Sequence, residues 1–319
     1  MSRMKRELFK ATAAFSIAAT ILFLAFVKLP VVPAAAQAPK VADPNNPIAI
    51  SNPLTPPASG TIPVAFLISE GAVVIDFAGP WEVFQDVNLP GSMNSPFHLY
   101  TVAETAKPIH ASGGMKIVPD YTIANAPAPR IIVIPAQAAL SEATKQWILK
   151  ATQKTDVTMS VCTGAFALAS TGLLSGKPAT THHSSYASLA AQFPDIRVKR
   201  GARFVEVGNL ATAGGLTSGI DLALRVVERY FGRDVARQTA FDMEYQGEGW
   251  MNPDSNTAYG QAYAQSDEHP VCPVCGMAVD PATAPKSVYR GKTYYFMTEE
   301  HKKQFEADPE QILHPSNKQ

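Results

Sequence analysis

The sequence predicts an α/β fold: a parallel sheet covered by helices on both faces, with a small α+β module near the C-terminus. Three observations carry this. Short unbroken apolar runs, such as Ile62-Pro63-Val64-Ala65-Phe66-Leu67-Ile68 and Ile131-Ile132-Val133-Ile134, read as strands buried on both faces. These runs alternate with helix-prone stretches, and repeated strand-helix order is the pattern of a parallel sheet. A polar stretch at 247–268, rich in Gly, Asn, Ser and Gln, separates this body from a last compact unit at 269–314 and a short tail at 315–319.

The elements follow in order. Arg3, Lys5, Arg6 and Lys10 precede an apolar run from Ala11 to Val27, and small residues follow at Pro33-Ala34-Ala35-Ala36-Gln37-Ala38. Residues 1–38 therefore read as a signal peptide cleaved after Ala38, or as an uncleaved membrane anchor. Either reading sends the folded part out of the cytoplasm, to the periplasm or the outer side of a membrane touched only by this segment. Residues 39–60 are a proline-rich linker, expected to be extended and mobile. The main body spans 61–246. Strands are expected at Ile62 to Ile68, Phe97 to Ala103, Arg130 to Pro135, Val157 to Val161, Ala179 to Thr181 and Leu210 to Ala213, with a hairpin from Val198 to Val207 turning at Gly201. Helices are expected at Gly79 to Leu89, after the cap Ser141 to Ala151, and at Ala165 to Leu174, Ser184 to Gln192, Thr217 to Phe231 and Asp234 to Tyr245. Residues 247–268 read as a second linker.

Charge bounds the partners. Lys plus Arg and Asp plus Glu are both 27 in 319 residues, so the basic footprint of a nucleic-acid binder is missing. The expected partner is a small molecule. Only Cys162, Cys272 and Cys275 are cysteine, too few for a disulfide scaffold.

Cys162 closes a short β-prone run and opens a helix at Cys162-Thr163-Gly164-Ala165-Phe166. Ligands of open α/β sheets bind at the carboxyl ends of strands, and a helix N-terminus favours thiolate over thiol. Asp76 lies just before an expected helix start at Gly79-Pro80, near the top of the sheet and within reach of the thiol. His182 and His183 end a strand, where neighbouring side chains point to opposite sides, so a shared ligand role is not expected.

The segments Asp76-Phe77-Ala78-Gly79-Pro80-Trp81-Glu82-Val83-Phe84, Ser160-Val161-Cys162-Thr163-Gly164-Ala165-Phe166, Ala179-Thr180-Thr181-His182 and Thr212-Ala213-Gly214-Gly215 with Gly219-Ile220-Asp221-Leu222-Ala223-Leu224 resemble the ThiJ/PfpI superfamily of class I glutamine-amidotransferase-like proteins. Within it the likeness is to isonitrile hydratase and to the input domains of AraC-type regulators. The resemblance implies a flavodoxin-like fold, often dimeric, with no cofactor in this domain. It implies Cys162 as nucleophile, Asp76 as acid/base partner and Thr163 as a residue that orients water and offers a backbone N–H to an oxyanion. His182 and Gly79 would line the site. The family often has two glycines after the Val-Ile-Pro strand; here Ala136 and Gln137 follow Pro135, leaving the Ala136 N–H as the second oxyanion donor. The implied activity is a cysteine-dependent hydrolase or hydratase, such as addition of water to a carbon–nitrogen triple bond. A non-catalytic redox or metal sensor using Cys162 is the alternative, and a ligand-binding domain derived from a regulator a minor one.

The last unit carries Cys272-Pro273-Val274-Cys275, a hairpin from Val288 to Phe296 turning at Gly291, and a helix capped by Thr298 and stopped at Asp308-Pro309. Two thiols at this spacing can hold one soft metal ion, and Met297 and His301, four apart near the helix start, share a face. Cys275-Gly276-Met277, Gly291-Lys292-Thr293-Tyr294-Tyr295-Phe296 and Lys302 to Pro309 resemble the YHS domain, associated with heavy-metal handling. Members often carry two cysteines where this chain has Met297 and His301. Copper or zinc held by Cys272, Cys275, His301 and Met297 is the expectation, and a Cys272–Cys275 disulfide or a purely structural module the alternatives.

Overall fold

The apolar runs become strands because both faces of the sheet are covered. The computed structural model describes residues 52–92, 94–260, 270–274 and 279–313. The expected export segment, the linker as far as Ser51, residues 261–269 and the tail lie outside the described residues. The main body runs β1 (Ile62–Leu67), α1 (Val74–Gln85), β2 (Phe97–Ala103), β3 (Ile109–His110), β4 (Lys116–Ile117), β5 (Tyr121–Thr122), β6 (Ile131–Ile134), α2 (Glu142–Thr152), β7 (Val157–Ser160), α3 (Gly164–Ala169), β8 (Pro178–Ala179), α4 (Tyr186–Gln192), β9 (Arg197–Val198), β10 (Phe204–Val207), β11 (Leu210–Ala213), α5 (Ser218–Phe231) and α6 (Arg233–Asp242). Seven strands form one sheet in the order β10-β11-β7-β6-β1-β2-β5. All neighbours are parallel except β10 and β11. This is the flavodoxin-like arrangement.

Side chains alternate between two cores, as the period of a strand requires. Val64, Phe66, Ile131, Val133, Val157 and Met159 face one core, which Val83 and Phe84 of α1, Leu222 and Val226 of α5 and Ala236 of α6 complete. Ala65, Leu67, Ile132 and Ile134 face the other, closed by Ile148 of α2, Leu168 of α3 and Leu189 of α4. Ser160 pairs with Ile134 on one side and Thr212 on the other. The loops after β6, β7 and β11 therefore meet at Cys162.

Several local expectations change. α1 starts at Val74, five residues before Gly79, and Pro80 lies inside it. Packing against α5 outweighs the hydrogen bond that Pro80 cannot make: a Cβ on Gly219 of α5 would stand 3.4 Å from Pro80 Cγ. Residues 198–207 are not a hairpin. β9 pairs in parallel with β8, and the hairpin is β10–β11, turning at Gly208-Asn209. Glycine at the first central position suits such a two-residue turn, and Gly208 has φ +61°. α3 ends at Ala169, α6 ends at Asp242, and a 3₁₀ turn at His183–Ser185 precedes α4.

The described parts of both expected linkers are bonded to the body. Leu54 N–H donates to Arg229 O at 2.8 Å, Arg229 Nε donates to Asn52 O, and Arg130 donates to Thr55 O. Beyond α6, 3₁₀ turns form at Gly249–Met251 and Thr257–Tyr259, and Trp250 is buried. A few anchoring side chains suffice to hold these segments against the body.

In the last unit β12 (Lys286–Tyr289) and β13 (Lys292–Tyr295) pair antiparallel. α7 (Glu299–Ala307) is capped by the Thr298 hydroxyl, which accepts the His301 N–H. Pro309 ends α7 and also opens α8 (Pro309–Leu313), where a first-turn proline is tolerated. Cys272, Val274, Phe296, Phe305 and Ile312 form its core together with Ala187 of α4. Among the described residues no helix is long and apolar enough to cross a membrane.

Candidate active site and second thiol centre

Cys162 sits on a strained turn. Its φ is +57°, a left-handed conformation that costs a non-glycine residue about 1–2 kcal/mol. The surroundings over-determine it. Cys162 N–H donates to Gly214 O at 2.9 Å, and the Thr181 hydroxyl donates to Cys162 O at 2.9 Å. Gly164 lets the turn close on β6, since a Cβ there would stand 2.2 Å from Ile134 O. The side chain is nearly buried, at 8% exposure.

Asp76 reaches the same point from the first turn of α1 and is fully buried. Its Oδ2 accepts the Ala136 N–H at 3.1 Å. Burial pushes its pKa up to about 6, against the pull of that N–H and of the Cys162 thiol. Oδ1 has no hydrogen-bond partner. Burial and the Asp76 charge push the Cys162 thiol up to about 11. Burial thus works against the thiolate expected at a helix N-terminus. A helix terminus contributes about 0.3–1 kcal/mol, whereas a two-unit rise corresponds to about 3 kcal/mol, so burial wins.

Three donors oppose that rise. The Thr163 N–H, the Leu216 N–H and the Thr163 hydroxyl approach the sulfur. Leu216 was not singled out from sequence. It lies in the loop from β11 to α5 at φ +44°, and the glycine pair Gly214-Gly215 before it was the available signal. Ala136 takes another role than expected: its N–H is engaged by Asp76 and holds the carboxylate. Thr163 and Leu216 supply donors at the sulfur.

The remaining predicted residues separate. Gly79 permits close packing of α1 on α5, because a Cβ there would stand 2.9 Å from Ile220 Cγ1. His182 lies against the Leu216 loop; a Cβ on Gly215 would stand 2.4 Å from His182 Cδ2. Its Nδ1 accepts the Ser184 N–H at 3.3 Å and contacts the Ser184 hydroxyl at 2.8 Å. His182 and His183 do not point apart. Their ring centroids lie 4.1 Å apart with the planes tilted by 36°, because they occupy the entry to a 3₁₀ turn and not a strand end. Burial lowers both pKa values, and His183 lowers that of His182 further.

In the last unit, Cys272 is buried with its Sγ 3.6 Å from His301 Nδ1. A thiol and an imidazole so placed suit a soft ion. Met297 is half exposed and precedes the helix, which starts at Glu299; the shared helix face expected for Met297 and His301 does not form. Cys275 lies outside the described residues.

A buried thiol on a strained strand-to-helix turn, faced by a carboxylate, defines a cysteine-elbow domain of flavodoxin-like fold. The chain belongs to the DJ-1/PfpI family, which it matches over residues 63–229, and it carries a YHS domain over residues 271–316. It is 32% identical to an isonitrile hydratase of Pseudomonas putida, over 57% of this chain and 78% of that one. It is 27% identical to the HTH-type transcriptional regulator GbdR of Pseudomonas aeruginosa, over 54% of this chain and 48% of the regulator. The solved structure of a ThiJ/PfpI family protein from Pseudomonas syringae is 27% identical, with a TM-score of 0.53, covering 59% of this chain and 77% of that one.

Proposed function

We propose that the main domain is a cysteine-dependent hydratase for small molecules of the isonitrile type. The observation that carries this is the buried Cys162–Asp76 pair, in a chain 32% identical to an isonitrile hydratase. Asp76, ionised above about pH 6, takes the thiol proton as sulfur attacks the terminal isonitrile carbon. Burial works against a free thiolate, so the proton leaves as the carbon–sulfur bond forms. The proton ends on that carbon, giving a thioimidate, R–N=CH–S–Cys162. Water then adds to the same carbon, the carbon–sulfur bond breaks, nitrogen gains a proton and the thiol is restored. The product is the N-substituted formamide. Thr163, with its hydroxyl and N–H at the sulfur, orients the water and steadies charge in both steps.

The test is a screen of isonitriles, amides and glyoxals with Cys162→Ala as control. Formamide release that survives in Cys162→Ala overturns the assignment, as does the absence of turnover on every isonitrile offered. The regulator match favours a second reading, a ligand-binding domain without turnover; saturable binding of the same compounds without product would select it. At the last unit we propose a copper or zinc site on Cys272 and His301 with Cys275, Met297 being a weaker candidate. Metal analysis of reduced protein and of Cys272→Ser tests this. Export through residues 1–38, with cleavage or anchoring, is tested by fractionation of tagged protein, and dimerisation by light scattering.

A further inference from the structure

The nucleophile's loop is held by residues that lie beyond the family-matched stretch, which ends at 229. The Tyr259 ring stacks on His183 with centroids 5.3 Å apart and planes 30° apart. His183 stacks on His182 at 4.1 Å, and His182 lies against Gly215. A ladder of three rings thus runs from the segment after α6 to the peptide that precedes Leu216. A second anchor lies beside it. Asn256, nearly buried, accepts from Arg203 Nη1 at 3.1 Å and donates to Ser218 Oγ at 3.4 Å. A Cβ on Gly214 would stand 3.0 Å from its Nδ2. Arg203 N–H donates to Pro253 O, and Gly214 N–H donates to Arg203 O. Gly214 O accepts the Cys162 N–H, and the Leu216 N–H faces the Cys162 sulfur.

We propose that residues 249–260 clamp the Gly214–Leu216 loop, and that Tyr259, His183 and His182 are positioning residues that hold the Leu216 N–H against the Cys162 sulfur. None of them touches the reacting atoms. Their effect is to keep a donor in place that stabilises negative charge on sulfur. The proposal rests on Cys162 as the reactive thiol and not on the identity of its substrate.

The full chain is treated with iodoacetamide at fixed pH, and alkylation is followed on the Cys162 peptide by mass spectrometry, so that Cys272 and Cys275 do not contribute. Below its pKa the thiol reacts in proportion to its thiolate fraction. Tyr259 is 48% exposed, so its truncation leaves the cores intact. An aromatic contact of this kind is worth about 2- to 10-fold. Tyr259→Ala is therefore expected to slow Cys162 alkylation by about that factor and to speed amide hydrogen exchange at 214–217, while Tyr259→Phe restores both. His183→Ala is expected to act as Tyr259→Ala does. Alkylation that is unchanged or faster in Tyr259→Ala, or exchange at 214–217 that is unchanged, overturns the clamp. Alkylation requires no hydratase turnover, so failure on isonitriles and failure of the clamp are separate results.

Discussion

Cys162 and Cys272 are both buried thiols, yet their neighbours give them different chemistry. Cys162 faces a buried carboxylate, two backbone N–H groups and a hydroxyl, on a turn that the loops of three strands hold in a strained conformation. Cys272 sits in an apolar core with Phe296 and Phe305, with the His301 imidazole as a polar neighbour. The first arrangement sets hydrogen-bond donors and a carboxylate around the sulfur; the second sets a thiol beside an imidazole. The contrast shows that two buried thiols can differ in the donors and acceptors placed around them.

The sharpest way to break the contrast is to remove each thiol in turn. Cys162→Ala is expected to lower isonitrile turnover by about a thousandfold or more, and Cys272→Ala to leave it within about twofold. Equal losses would mean that the two centres act as one.

Asp76→Asn comes next, with an expected loss of about a hundredfold in kcat/KM. The pH profile of the native protein should rise with ionisation of Asp76, on a limb near pH 6 that the Asn variant lacks. Stability moves the other way. The folded pKa of Asp76 lies above the unfolded value of about 3.9, so the folded state binds the proton more tightly. That contribution is fully present below about pH 4 and lost as pH rises through 6. Asp76→Asn is therefore expected to gain about 1–3 kcal/mol at pH 7, with little gain at pH 3.5, as read from urea unfolding at the two pH values. A variant less stable at pH 7 would mean that the carboxylate is not strained by burial.

Gly164→Ala tests whether the turn is held as closely as it looks. A Cβ 2.2 Å from Ile134 O forces the backbone apart, and a loss of about 2–3 kcal/mol is expected in denaturant unfolding. The smallest effect is expected at the other thiol. His301→Ala should weaken bound copper or zinc under reducing conditions and change Cys162 alkylation by less than about twofold. A larger change would place the two centres in communication through Ala187, which joins the YHS core from α4.

Much of this was readable along the chain because it is written locally. The apolar runs of β1, β6 and β7, the cap Ser141 on α2, the Thr298 cap on α7 and the thiol at a strand-to-helix junction each depend on a few consecutive residues. Other features depend on residues far apart. The start of α1 before Pro80 follows from its packing on α5. The pairing of β9 with β8, in place of a hairpin with β10, follows from sheet geometry. The order of residues 249–260 follows from Arg203, Asn256 and Tyr259 reaching across to other segments.

The site divides in the same way. By itself the sequence determined the α/β class and placed a thiol at a strand end and a carboxylate near a helix start, because strand ends, helix starts and residue type are local properties. Only the tertiary structure decided that Ala136 holds Asp76, that Leu216 faces the sulfur, that the His182 and His183 rings meet, and that Cys162 is buried beside a carboxylate. Each of these turns on distance and burial, and a carboxylate removed from water beside a sulfur exists only once distant segments have packed.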